Sequence, residues 1–212
     1  MADFYPIIFQ LIVLLFSVVI HEVSHGAAAY RLGDPTAKLM GRLTLNPIKH
    51  LDFFGSLIMP FSVFLLTGGR FVFGWAKPVP YNPANLKNPR LGSALVALAG
   101  PLSNFSLAVI FSLAARFLAG SAAGFAGEAD FAAAASILVG YIVLINLLLA
   151  VFNLVPIPPL DGSKILFYFL PRRFYAVEEF LERYGFVILL LFIFFGFPLI
   201  TPIIDLLYDL LI

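Results

Sequence analysis

The sequence predicts an all-α polytopic membrane protein with about four to six transmembrane or re-entrant helices, short interfacial β-strands and one membrane-embedded domain filling residues 1–212. Three observations carry this reading. Of 212 residues, 61% are hydrophobic and 12% charged, and the mean hydropathy is +1.00, which leaves too few polar side chains to cover a water-facing globule of this size. Several apolar runs reach the roughly 18–20 residues that a helix needs to cross the hydrocarbon core. Between those runs, prolines, glycines and charges collect in segments that read as loops.

The first apolar stretch runs from about Tyr5 to Tyr30. Its start, MADFYPIIFQ, lacks the basic segment and small-residue cleavage site of a removable signal peptide, so it is expected to stay as a helix. Gly33-Asp34-Pro35 ends it, and the alternating Leu43-Thr44-Leu45 suggests a short strand in an interfacial segment. Phe54 to Thr67 is apolar but short for a span, contains Pro60 and runs into Gly68-Gly69, so it reads as re-entrant or interfacial. A loop with prolines at 78, 80, 83 and 89 follows, and its Trp75 suits the headgroup level. Leu91 to Ala119 is a second span. After a turn over 121–130, Phe131 to about Leu154 is a third, broken at prolines 156, 158 and 159. Ile165 to Leu170 is a further apolar piece, and the charged segment with Glu178, Glu179, Glu182 and Arg183 leads to one kinked span from Tyr184 onward.

Charge and residue types narrow the function. A net charge of +1 gives no broad basic surface, so nucleic acid is not expected as a partner. With no cysteine there is no thiolate site, and any metal must be held by His and carboxylate. Eight Lys and Arg residues fall between Arg31 and Arg90, and Lys164, Arg172, Arg173 and Arg183 return to that side if 31–90 stays on one face, leaving only Arg116 apart. By the positive-inside rule that face is cytoplasmic and the amino terminus external.

Inside the first helix lies His21-Glu22-Val23-Ser24-His25. Four residues advance a helix by about 400° and 6 Å, so both imidazoles emerge on nearly one face and can occupy two positions around one zinc ion. Glu22 adjoins them as a candidate general base. An accidental pair of His at this spacing with an adjoining Glu is expected on the order of once in a thousand such chains, and a Glu within an apolar helix marks an interior functional site. Catalytic zinc takes three protein ligands and keeps a fourth position open. Asp161, in Asn153-Leu-Val-Pro-Ile-Pro-Pro-Leu-Asp161-Gly162, is the candidate third ligand; as a helix N-cap it has an equally good alternative role. His50 competes for the same position from a Lys-containing turn. Topology offers a test of the aspartate: Asp161 can meet His25 only if 31–90 begins and ends on one side, because a full crossing by Phe54–Thr67 would leave them about 30 Å apart.

HEVSH in the first helix, AGPLSN at Ala99 to Asn104 and NLVPIPPLDG at Asn153 to Gly162 together resemble the site-2 protease (M50) family of intramembrane metalloproteases. The resemblance implies one zinc ion held by His21, His25 and Asp161, Glu22 as catalytic base, and Asn153 steadying substrate or the tetrahedral intermediate, the alternative for Asn153 being a helix–helix hydrogen bond. Asn104 carries a weaker implication, and Gly100-Pro101 reads equally as an ordinary helix start. The implied activity is hydrolysis of peptide bonds in membrane-spanning or membrane-associated proteins; the charge distribution places the site of this multi-pass chain toward the cytoplasm. GRLTLNPIKH and GWAKPVPYNP resemble segments of the compact prokaryotic branch thought to hold an extended substrate, here at Leu43–Leu45 or Val79–Tyr81. The chain has no room for PDZ or CBS modules. The bilayer and a second copy of the chain stand as further partners. Two rival classes remain, a zinc-binding membrane transporter and a non-catalytic scaffold; Glu22 separates them, since a transit site needs no base, and no paired half-repeats are found.

Overall fold

A computed structural model describes residues 4–66, 68, 74, 76–122 and 129–212. Its helices are α1 (Phe4–Arg31), α2 (Thr36–Leu39), α3 (Met59–Leu66), α4 (Pro89–Ala122), α5 (Ala129–Asn153), α6 (Asp161–Phe169), α7 (Tyr175–Leu191) and α8 (Thr201–Leu211). Among the described residues, four stretches are long and apolar enough to cross a membrane: Pro6–Arg31, Pro89–Phe117, Ala135–Asn153 and Arg172–Leu199. The predicted all-α membrane architecture is therefore present. Large side chains such as Phe117 and Phe195 are more than three-quarters exposed; in lipid this carries no hydrophobic penalty, because the surroundings are as apolar as the side chain.

Antiparallel packing sets the topology. Moving along α1 from His21 to His25 moves the bonded partner back along α4 from Asn104 to Val96, so the two helices run in opposite directions. The α4 helix packs against both α1 and α5, and α5 returns along it. The chain between Arg31 and Pro89 thus leaves and rejoins the bundle at the same end. At 13 residues, Phe54–Leu66 would extend about 20 Å as a helix, less than a crossing needs. The inner core joins Ala108 of α4 and Val143 and Leu147 of α5 to Leu189 of α7 and Ile200 and Ile204 at the start of α8.

Several expectations are corrected. The described residues contain no strand; Leu43–Leu45 and Val79–Tyr81 are irregular. Their polar groups bond elsewhere: the Thr44 carbonyl accepts from His50 Nε2 at 2.8 Å, and the Val79 N–H donates to Glu22 Oε2 at 2.8 Å. Gly100-Pro101 is no helix start, since α4 begins at Pro89 behind Asn88, whose side chain accepts from the Leu91 N–H at 3.2 Å; Pro101 lies buried in the helix interior. The terminal region divides differently too. The α7 helix starts at Tyr175, ahead of the glutamates, and the apolar run breaks through a π turn at Phe192–Gly196 and a 3-10 turn at Phe197–Leu199 before α8. Arg116, the basic residue apart from the rest, donates to the Leu210 carbonyl at 3.0 Å and so caps the end of α8. Trp75, Gly69 and most of the expected turn over 121–130 lie outside the described residues.

Candidate metal centre

The helical period of α1 brings His21 and His25 into edge contact, with ring centroids 4.6 Å apart. Each ring is tied to α4 through Nδ1. His25 Nδ1 lies 2.7 Å from the Val96 carbonyl oxygen, which can only accept, so this nitrogen carries the proton and donates it. His21 Nδ1 lies 2.6 Å from Asn104 Oδ1 and donates to it in the same way. Both rings therefore turn bare Nε2 atoms toward the same point. The close approach of α4 depends on Gly100: a Cβ there would sit 2.5 Å from His25 Nε2 and 2.6 Å from His21 Nε2.

Asp161 completes the cluster from the far side of the sequence. The prolines after Asn153 end α5, and α6 starts at once beneath it because Gly162 has no side chain; a Cβ would run into the Leu154 and Val155 carbonyl oxygens. This turn carries Asp161 Oδ2 to 3.1 Å from His21 Nε2 and 3.2 Å from His25 Nε2. Asp161 is the first residue of α6, and its side chain makes no cap bond, so the capping alternative gives way to the histidines.

These three atoms fit a cation. His21 Nε2, His25 Nε2 and Asp161 Oδ2 are all acceptors, and they lie within 4.8 Å of one another. With both imidazole protons on Nδ1, no hydrogen remains to bridge them, and Asp161 Oδ2 is a buried oxygen with no hydrogen-bond donor. Such a grouping is repulsive unless a positive charge sits among its members. The donor set of two neutral imidazoles and one carboxylate suits zinc, whose tetrahedral ligand atoms are spaced about 3.3 Å apart.

Glu22 is half-buried beside His21, and its Oε2 accepts the Val79 backbone N–H at 2.8 Å. The 77–79 segment therefore lies against the carboxylate. Gly26, one turn further along α1, makes room for it, since a Cβ there would meet Leu43 and Val79 side chains at 2.6 and 2.8 Å. Asn153 ends α5 and donates through Nδ2 to the Leu149 carbonyl of its own helix at 2.9 Å. His50 is not in the cluster: it is buried with Nε2 donating to the Thr44 carbonyl at 2.8 Å.

Sequence reasoning gave Asn104 little weight and missed Asn146. Both are fully buried, and the Asn104 amide nitrogen donates to Asn146 Oδ1 at 2.9 Å and to the Ser17 carbonyl at 3.2 Å. The available signal was an amide in the middle of an otherwise apolar span, which lipid tolerates only where it has partners.

A sequence model of peptidase family M50 matches residues 9–192. The chain is 41% identical over 182 residues to YwhC of Bacillus subtilis, provisionally named a zinc metalloprotease, covering 86% of this chain and 78% of YwhC. It is 33% identical over 153 residues to Rip2 of Mycolicibacterium smegmatis, which carries the same provisional description, covering 72% of this chain and 53% of Rip2. MJ0611 of Methanocaldococcus jannaschii, likewise described, is 31% identical over 160 residues, covering 75% of this chain and 69% of that protein. No solved structure gives a significant match.

Proposed function

The chain belongs to peptidase family M50, the site-2 protease family, and from that premise we propose how its own residues divide the work of an intramembrane zinc metalloprotease. The observation that carries the assignment is the convergence of three proton-free acceptors, His21 Nε2, His25 Nε2 and Asp161 Oδ2. We assign them as the ligands of one zinc ion. When bound, zinc supplies a Lewis acid that makes water a competent nucleophile near neutral pH and polarises a peptide carbonyl.

Glu22 takes the proton of the attacking water and passes it to the leaving amine. Its Oε2 is engaged by the Val79 N–H, so Oε1 is the atom that works. Asn153 uses one of its two amide hydrogens on Leu149 and offers the other to the developing oxyanion. The substrate is a membrane-spanning or membrane-associated protein. Its cleaved stretch must leave the helical state, and the irregular Leu43–Leu45 and Val79–Tyr81 segments offer extended backbone for it to pair with. The whole of 1–212 acts as one domain. Its basic residues collect at the end shared by the α1 terminus, the α4 start and Arg90, which bonds the Phe167 carbonyl at 2.8 Å; by the positive-inside rule this end, with the metal centre, faces the cytoplasm.

Zinc content and cleavage of a transmembrane peptide in detergent, compared across wild type, Glu22→Gln and Asp161→Ala, test these roles. Glu22→Gln is expected to keep zinc and lose cleavage, and Asp161→Ala to lose zinc. An Asp161→Ala protein that binds zinc as tightly as wild type would remove Asp161 from the ligand set.

A further inference from the structure

We propose that Asn146 is a positioning residue for the metal centre: acting through Asn104, it dictates which nitrogen of His21 carries the proton and so keeps Nε2 bare for the ion. The argument rests on the assignment of His21 as a ligand, and it starts from atoms that can only accept. The Ile142 carbonyl oxygen, one turn back on α5, lies 2.9 Å from the Asn146 amide nitrogen. A carbonyl repels the amide oxygen, so Asn146 must turn its nitrogen there and its Oδ1 toward α4. That Oδ1 faces Asn104 at 2.9 Å, so Asn104 must answer with Nδ2, which the Ser17 carbonyl at 3.2 Å also requires. Asn104 Oδ1 is then left facing His21 Nδ1 at 2.6 Å, and only an Nδ1–H satisfies it.

The chain is directional from end to end. Reversing either amide would set oxygen against oxygen or nitrogen donor against nitrogen donor. Both asparagines are fully buried, so no solvent can stand in for a missing partner, and a reversed amide would leave unpaired polar groups within the bundle. His25 needs no such relay, because a backbone carbonyl cannot be turned round. His21 depends on a side-chain amide, which can rotate, and two acceptors hold it: the Ser17 carbonyl at 3.2 Å and, by the shorter bond of 2.9 Å, Asn146 Oδ1. Removal of Asn146 leaves only the longer Ser17 bond to orient the Asn104 amide, so part of the population presents its NH2 group to His21, which moves the proton to Nε2 and closes that nitrogen to the metal. Partners one shell out from a metal ligand commonly change affinity by about 10–100-fold.

The test combines a metal-free and a metal-bound reading. In the metal-free protein, 15N chemical shifts of the His21 ring report the tautomer: wild type is expected as Nδ1–H alone, and Asn146→Leu as a mixture with Nε2–H. Zinc affinity is then measured by chelator competition for Asn146→Leu in two backgrounds. In the native background the affinity is expected to fall at least 10-fold. In an Asn104→Ala background the relay is already broken, and Asn146→Leu is expected to change affinity less than twofold. An equal loss in both backgrounds would reduce Asn146 to helix packing, and an unchanged His21 tautomer in Asn146→Leu would overturn the proposal whether or not zinc binds. His21→Ala separates the two layers: unaltered zinc affinity there would remove His21 from the ligand set, while the tautomer measurement still reads the hold of Asn146 on the ring.

Discussion

Gly100→Ala adds a single methyl group at the point where α4 meets the two histidines. Its Cβ would lie 2.5 Å from His25 Cε1 and Nε2 and 2.6 Å from His21 Nε2, against 3.4 Å for the onset of ordinary contact. Something must therefore yield by about 0.9 Å. The rings are poorly placed to do so, because their Nδ1 bonds of 2.6 and 2.7 Å run to Asn104 and Val96 on the same helix that carries the new methyl. Pushing α4 away stretches both bonds; rotating the rings moves Nε2 away from Asp161. Metal ligands tolerate displacements of about 0.2 Å, and a 1 Å misplacement near a reacting centre can cost about 100-fold in rate. We expect zinc affinity to fall at least 10-fold and peptide cleavage about 100-fold, with an overpacking cost of about 1–3 kcal/mol in stability. Chelator competition, a peptide cleavage assay and thermal melting in the same detergent measure the three quantities. A Gly100→Ala protein with wild-type zinc affinity and turnover would refute the packing argument.

Two further substitutions probe the loops that carry the site. Asp34 accepts from the Asn82 N–H and the Asn85 amide, both at 2.6 Å, and from Thr36, which ties the end of α1 to the 82–85 turn; Asp34→Ala is expected to cost about 2–3 kcal/mol at pH 7, measured as a lower melting temperature. Burial alone would raise the Asp34 carboxyl, but the bonds from Thr36, Asn85 and Asn82 outweigh it and hold it below the usual value. This contribution is therefore present above the unfolded pKa of about 3.9 and is lost as pH falls through the folded value, so wild-type and Asp34→Ala melting curves should converge in acid. Arg42 is buried and holds the Lys77 and Pro78 carbonyls; Arg42→Ala should release the 77–79 segment from Glu22, which limited proteolysis within 76–82 would report as cleavage at least several-fold faster than in wild type.

The spans were legible because hydropathy is a property of each segment alone. Pro6–Arg31, Pro89–Phe117 and Ala135–Asn153 match their expected positions closely. In the terminal region, the charged piece expected to lead into a kinked span from Tyr184 is itself helical from Tyr175, with Glu182 paired to Lys164 at 2.9 Å and Glu178 to Arg90 at 3.3 Å, and the kink falls at Phe192–Leu199. The expected strands failed for a similar reason, since alternation at Leu43–Leu45 says nothing about whether a neighbouring chain is there to pair with.

By itself the sequence determined the solvent, the helical spans and the pairing of His21 with His25, because composition and a period of 3.6 residues act within one segment and need no distant partner. The residues also marked Glu22 as a candidate base and Asp161 as a candidate third ligand, with His50 and a capping role as alternatives, and resemblance of the motifs to a known family implied the full set. Only the tertiary structure decided that Asp161 abandons its capping role, that His50 belongs to a loop rather than the cluster, and that Asn104 and Asn146 stand behind His21. Each of these depends on how antiparallel helices are set against one another. That register comes from glycines such as Gly100 and Gly162, which allow close approach, and from buried polar groups that must find a partner, and neither leaves a periodic trace along the chain.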